Sequence, residues 1–199
     1  MKSVKKIFSE GEVKDLLRRV REQARRGRFI DKCDHALVTF AWATGFRASE
    51  IASVSLSPGQ PNHIDLKSGL VTITEAKWDS KGVLPLDPSS LRVIRHFVRE
   101  IRPLIRNAAV MDRLFLTKTG NVYTPNKMTK KMSLLLKRYG YEGKSAHSFR
   151  HHFCTDLFRR GANLHEVQAL MRHKDVRSTM VYSHATVDDL RAVVNRRMG

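Results

Sequence analysis

The chain contains no apolar run approaching the roughly 18 residues that cross a bilayer as a helix, so its sequence offers no transmembrane segment. Its lysine-rich start leads into a polar amphipathic stretch rather than an apolar core segment, so no secretory signal peptide is expected. Cysteine is scarce. Cys33 and Cys154 lie in helical apolar patterns without metal-ligand spacing and read as buried thiols of a reducing compartment. A cytoplasmic protein is therefore expected. No internal repeat, linker or low-complexity segment interrupts the chain. Acid is the other shortage: 19 Asp and Glu stand against 37 Lys and Arg, leaving a formal net charge of +18.

What remains is otherwise ordinary, with 41% hydrophobic and 28% charged residues. A chain of 199 residues can bury one good-sized core, so a single domain over 1–199 is expected, its core at about 9–184 and a tail helix at 185–199. A positive excess of this size attracts polyanions, and the expected partner is nucleic acid held through its phosphates. An acidic membrane is the rival partner. It would need a basic amphipathic helix with a broad apolar face or a lipidation motif, whereas the basic residues here are spread along the whole chain, so no membrane contact is expected.

Local signals place the elements. Ser9 and Glu12 form a capping-box pair ahead of Val13, Leu16, Leu17 and Val20, predicting a helix over about 10–27 with an outer face of Arg and Lys. A second helix is predicted from Asp31 or Lys32 to Thr44, ended by Gly45, and a short third over 48–54 with Arg47 at its start. Pro58 and Pro61 break the helical pattern. Three strands follow over 63–66, 69–74 and 82–86, with 75–81 as a hairpin loop. Asp87 with Pro88, and Thr124 with Pro125, open helices reaching about Ile101 and Gly140. Ser145 caps a helix ending at Gly161, Asn163 caps one through His173, Asp175 begins a short one containing Tyr182, and Thr186 to about Arg197 forms the last. The fold class is mostly α with one small antiparallel β-sheet (α+β).

The candidate chemistry is attack on a DNA phosphodiester, which needs charge neutralised on the phosphoryl oxygens, a nucleophile, and an acid for the leaving oxygen. Arg47 and Arg150 suit the first need, because a guanidinium fork meets two phosphate oxygens and never deprotonates. His147 and Arg150 stand three positions apart on one helix and so share a face. Tyr182 is the candidate nucleophile. Its hydroxyl has an ordinary pKa of about 10 and needs cations and a base to react, but a phosphotyrosine ester stores the energy of the broken bond for rejoining. Taken singly, each residue has a bland reading: Tyr182 as a core or rim tyrosine, Arg47 as a partner of Glu50, His147 and His173 as helix-end histidines. His151, His152 and His184 with His147 could be taken for a metal cluster, but a metal site wants acids or cysteines close by in a dry pocket and the phosphodiester chemistry above needs none, so no metal site is expected.

Read together, Gly45-Phe46-Arg47-Ala48-Ser49-Glu50-Ile51, His147-Ser148-Phe149-Arg150-His151 and the interval from His173 to Tyr182 resemble the three signature boxes of the tyrosine recombinase (phage integrase) family, in order and with its spacing. The resemblance covers almost the whole chain. It implies the family's catalytic-domain fold and site-specific DNA recombination through a 3′-phosphotyrosine intermediate, with no cofactor, metal or ATP. By the same resemblance Arg47 and Arg150 hold the scissile phosphate, His147 assists as proton acceptor, His173 hydrogen-bonds a phosphate oxygen and Tyr182 attacks. The family also places a catalytic lysine in a β-hairpin. Counting back eight positions from Pro85 selects Lys77, with Lys81 as rival because Trp78 stands where the family has glycine and the usual arginine before the closing strand is missing. Arg172 replaces a glycine before His173.

The family's N-terminal core-binding domain is not expected here, since the chain starts almost at the catalytic domain. Val187, Leu190, Val193 and Val194 make an apolar stripe resembling the family's exchanged tail, which implies a mainly monomeric protein that forms a tetramer on a double-stranded DNA synapse. Two other readings stand beside this one: a type IB topoisomerase using a similar residue set, and a non-catalytic DNA-binding regulator derived from a recombinase.

Overall fold

A computed structural model describes residues 7–75 and 80–171. The chain divides into two compact units, Met1–Phe153 and Cys154–Gly199. The first unit opens with α1 (Glu10–Arg26), whose capping box forms as expected: Glu12 N–H donates to Ser9 Oγ at 3.2 Å and Ser9 N–H to Glu12 Oε2 at 2.8 Å. Val13, Leu16, Val20 and Ala24 of α1 are buried, and the helix packs on α2 (Phe29–Thr44).

Helix α2 starts two to three residues earlier than its sequence suggests. Asp31 is not the cap but the third helical residue, where its carboxylate accepts the Arg28 N–H at 3.0 Å and so satisfies a donor that the helix leaves open. Asp31 and Asp34 are buried on α2, and cations of α5 (Pro125–Arg138) meet them. Lys131 contacts Asp34 at 2.5 Å, and Arg138 lies 3.1 Å from Asp31 and 3.0 Å from Asp34. Asp34 is shared by both cations and Asp31 leans on Arg138, so these buried pairs fix α5 in register on α2.

The strands β1 (His63–Asp65), β2 (Leu70–Glu75) and β3 (Ser80–Pro85) form an antiparallel sheet in the order β1-β2-β3. Pairing of β2 and β3 runs from Leu70↔Pro85 to Glu75↔Ser80, so the strands continue into the stretch expected to be loop, because cross-strand hydrogen bonding overrides the weak strand propensity of Ser80 and Lys81. Asp87 caps α4 (Pro88–His96) by accepting the N–H of Ser89 and Ser90, both at 3.0 Å. The helix then widens into a π-helical turn over Phe97–Ile101 and tightens into a 3-10 turn over Arg102–Leu104.

Arg102 is buried but fully engaged. Its guanidinium donates to the carbonyls of Ala108, Met111 and Arg113, and this staples the following loop. Aromatic rings fill the centre of this unit, with Phe40 edge-on to both Phe46 and Phe115 at centroid distances of 5.7 and 5.5 Å. Helix α6 (Ala146–Arg159) begins in the first unit, its N-terminus secured by the Ser145 N–H donating to Ser148 Oγ at 3.0 Å. In the second unit α7 (Leu164–Met171) is capped reciprocally. Glu166 N–H donates to Asn163 Oδ1 at 2.9 Å and Asn163 N–H to Glu166 Oε2 at 2.7 Å. No described helix is long and apolar enough to cross a membrane. The helices expected around Tyr182 and over 186–197 lie outside the described residues.

Candidate active site

Two turns of chain bring the first two sequence boxes together. Helix α2 ends at Gly45, whose φ of +59° is the left-handed conformation that glycine adopts without strain. A side chain there would also collide with α6, since a Cβ on residue 45 would lie 2.8 Å from Cβ of Phe153. This close approach lets the Gly45 carbonyl accept a hydrogen bond from Arg150 Nη1 at 3.2 Å.

Two residues later Arg47 caps α3 (Ala48–Ser53). Glu50, in the first turn of α3, is buried. Its Oε2 accepts the Arg47 backbone N–H at 2.7 Å, its Oε1 accepts Arg47 Nη1 at 3.1 Å, and its Oε2 stands 3.8 Å from Arg150 Nη1. One carboxylate thus faces both arginines. The sequence marks Glu50 only as a local partner of Arg47, and nothing local shows that Arg150 converges on it. At the other end of α3 the Ser53 carbonyl accepts Arg113 Nη1 at 2.6 Å, Asn62 Nδ2 donates to Ser53 Oγ at 2.7 Å, and the helix packs on α5. Both ends of the short helix carrying Arg47 and Glu50 are therefore held by side chains.

The electrostatics follow from this arrangement. Arg150 is 3% exposed and Arg47 44%, so Arg47 is the arginine that meets solvent while Arg150 is oriented from behind. Two guanidinium charges against one carboxylate leave a net charge of +1, which matches the single negative charge of a phosphodiester.

His147 lies on the same helical face as Arg150. Removal from water, then the positive charges of Arg150 and Arg47, hold its imidazole below the ordinary histidine range. It is therefore uncharged at neutral pH, as a proton acceptor must be. One turn further, His151 Nε2 lies 2.8 Å from His147 Nε2, and the two rings meet edge to face at 4.4 Å. Burial, His147 and Arg150 lower His151 to about 4.

The structure thus brings together Arg47, His147 and Arg150 of the expected set. Lys77, His173 and Tyr182 lie outside the described residues. Lys81 stands in β3 opposite Thr74. Among the described residues, no group of three His, Cys, Asp or Glu side chains is placed to hold a metal ion.

Comparison with known proteins identifies the family and the fold. The model of the Phage integrase family matches residues 6–188. A tyrosine recombinase XerC from Anoxybacillus flavithermus is 31% identical over 167 residues, covering 82% of this chain and 54% of its own length. A tyrosine recombinase XerD from Listeria monocytogenes is 30% identical over 155 residues, covering 77% and 50%. The chain therefore spans only about half the length of these curated relatives. Among solved structures, that of XerA recombinase superposes with a TM-score of 0.73 at 21% identity, over 97% of this chain and 65% of the other. The Tn1549 transposon integrase in complex with transposon right end DNA gives 0.77 at 18% identity, over 100% and 67%. At these identities the structural likeness concerns the fold.

Proposed function

The chain belongs to the phage integrase family, and on that footing we propose that it is the catalytic domain of a site-specific DNA recombinase that cuts and rejoins strands through a 3′-phosphotyrosine intermediate. The observation that carries the reading is the buried Glu50 carboxylate facing Arg47 and Arg150, which builds a preorganised seat of net charge +1 beside a neutral His147. In the mechanism, the arginines bind the non-bridging oxygens of the scissile phosphate and stabilise charge as it develops. Tyr182 attacks phosphorus, its proton passing to His147, and His173 hydrogen-bonds a phosphoryl oxygen. Lys77 protonates the departing 5′-oxygen. Reversal of these steps by a 5′-hydroxyl from another strand completes the exchange.

The reaction needs neither metal nor ATP in this scheme, since the phosphotyrosine conserves the bond energy and arginines supply the positive charge. The partner is double-stranded DNA. The protein works in the cytoplasm, mainly as a monomer when free and as a tetramer on the DNA synapse, with residues 185–199 docking on a neighbouring protomer.

A suicide substrate carrying a nick tests the reading. The wild type forms a covalent protein–DNA adduct, in EDTA as well as without it, whereas Tyr182→Phe binds the DNA and forms none. An adduct that persists in Tyr182→Phe would overturn the nucleophile assignment.

A further inference from the structure

The basic face of α1 divides into two parts that the sequence does not separate. Lys14 and Arg18 are neutralised on the helix itself, by Glu10 at 2.5 Å and by Asp15 and Glu22 at 2.7 and 3.0 Å. Arg21 and Arg25, one and two turns on, instead line a cleft of about 420 Å³ with Lys32 and His35 of α2 and Arg92 and His96 of α4. No Asp or Glu lines it. Among the described residues, none of these six side chains makes an ion pair or hydrogen bond, although most other cations of α1 and α5 are matched to acids. Arg21, Arg25, Lys32, Arg92 and His96 are exposed, so their side chains face solvent.

The cleft is also elongated. A second cleft, of about 390 Å³, shares Arg21, His35 and Arg92 with it and continues along α2 to Trp42. From Lys32 to Trp42 the groove follows ten residues of helix, about 15 Å at 1.5 Å per residue. It ends three residues short of Gly45, where the chain turns toward Arg47. Four guanidinium and ammonium groups strung along such a groove suit a ligand with charges repeated along its length, rather than one compact anion.

We propose that this groove is a second phosphate-binding site, separate from the Arg47 and Arg150 seat, and that it takes a run of phosphates of a nucleic-acid backbone. The assignment of DNA as the occupant rests on the function proposed above, whereas the affinity of the groove for phosphate rests on its own side chains. His35 reports on occupancy. Burial, followed by the charges of Arg21, His96 and Arg25, holds its ring down to about 4, and a bound anion offsets those charges, as it does the neighbouring Lys32 and Arg92.

The experiment compares the full chain with Arg21→Gln/Arg25→Gln/Arg92→Gln. A control, Lys14→Gln/Arg18→Gln/Arg26→Gln, removes the same charge from positions of α1 that do not line the groove. All six positions are exposed, and far-ultraviolet circular dichroism verifies the folds. Binding of a 30-base-pair duplex is measured across salt concentrations, and the His35 ring resonance is followed by NMR with the duplex and, separately, with tripolyphosphate.

The expected result is that the groove variant binds duplex about tenfold more weakly, with a salt slope shallower by roughly two to three units, at about 0.9 per lost phosphate contact. The control changes less on both counts, and duplex raises the His35 titration in the wild type and the control but not in the groove variant. Equal losses in the two variants would reduce the groove to bulk charge and overturn the proposal. A His35 response to tripolyphosphate alone, with duplex affinity unchanged in the groove variant, would overturn the nucleic-acid assignment in favour of a small-anion site. These readouts need no strand cleavage, so a failure of Tyr182 as nucleophile leaves them interpretable, and a failure here leaves the adduct test untouched.

Discussion

The Nε2 atoms of His147 and His151 lie 2.8 Å apart, so one ring donates and the other accepts, and a single proton serves both. Both histidines are held below the ordinary range, His147 by desolvation and then Arg150 and Arg47, His151 by desolvation and then His147 and Arg150. The folded protein thus binds fewer protons than the unfolded chain between the unfolded histidine value of about 6.5 and the folded value of about 4 for His151, and stability falls as pH drops through that window. Urea midpoints at pH 7 and pH 5 should show the loss. His151→Gln should weaken this pH dependence, and an unchanged dependence in that variant would place the protons elsewhere.

Glu50 faces both arginines, so its replacement separates two effects. Glu50→Ala leaves Arg150, 3% exposed, without its carboxylate and should destabilise by about 3 kcal/mol in urea denaturation, the scale for breaking a buried pair. Glu50→Gln retains an acceptor for the Arg47 N–H and should lose less stability. Both variants should cut adduct formation sharply. Wild-type cleavage by Glu50→Ala would mean that the arginines orient themselves.

Gly45→Ala combines a positive φ with a Cβ 2.8 Å from that of Phe153, and should cost about 1–3 kcal/mol by thermal denaturation. Adding Phe153→Ala removes the ring atoms Cγ and Cδ1 at 2.9 Å but keeps the Cβ contact at 2.8 Å and the backbone strain, so the double variant should recover only part of the loss relative to Phe153→Ala alone. The Gly45 carbonyl also orients Arg150, so cleavage should fall further than stability requires.

Lys77 and Lys81 are separable by changing the leaving group. A sulfur at the scissile 5′ position leaves as a thiolate without needing a proton. Lys77→Ala should therefore be nearly inactive on normal DNA and substantially rescued on the sulfur-bridged substrate, whereas Lys81→Ala should lose only modest binding and Arg47→Ala should not be rescued. Rescue that follows Lys81 would show that the register counted from Pro85 is shifted.

What the sequence determined by itself is what depends on neighbours a few positions away. The capping pairs at Ser9 and Asn163, the Asp87-Pro88 and Thr124-Pro125 helix starts, and the left-handed Gly45 all stand in the structure as the local pattern implies, because each satisfies backbone groups within one turn. The placement of His147 and Arg150 on one face is legible for the same reason, and the four-residue spacing of His147 and His151 was a signal from which their hydrogen bond could have been read.

Tertiary structure alone decided where distant segments meet. Glu50 and Arg150 are a hundred residues apart, and only the packing of Gly45 against α6 brings the second arginine to the carboxylate. Arg21 and Arg92 look alike on paper to Arg18, yet Arg18 has acids one turn away on its own helix while Arg21 and Arg92 face each other across a groove that exists only once α1, α2 and α4 have packed. Periodicity reports which face of a helix is buried, but not which helix will lie against it, because that choice is made by the summed fit of side chains far apart in the chain.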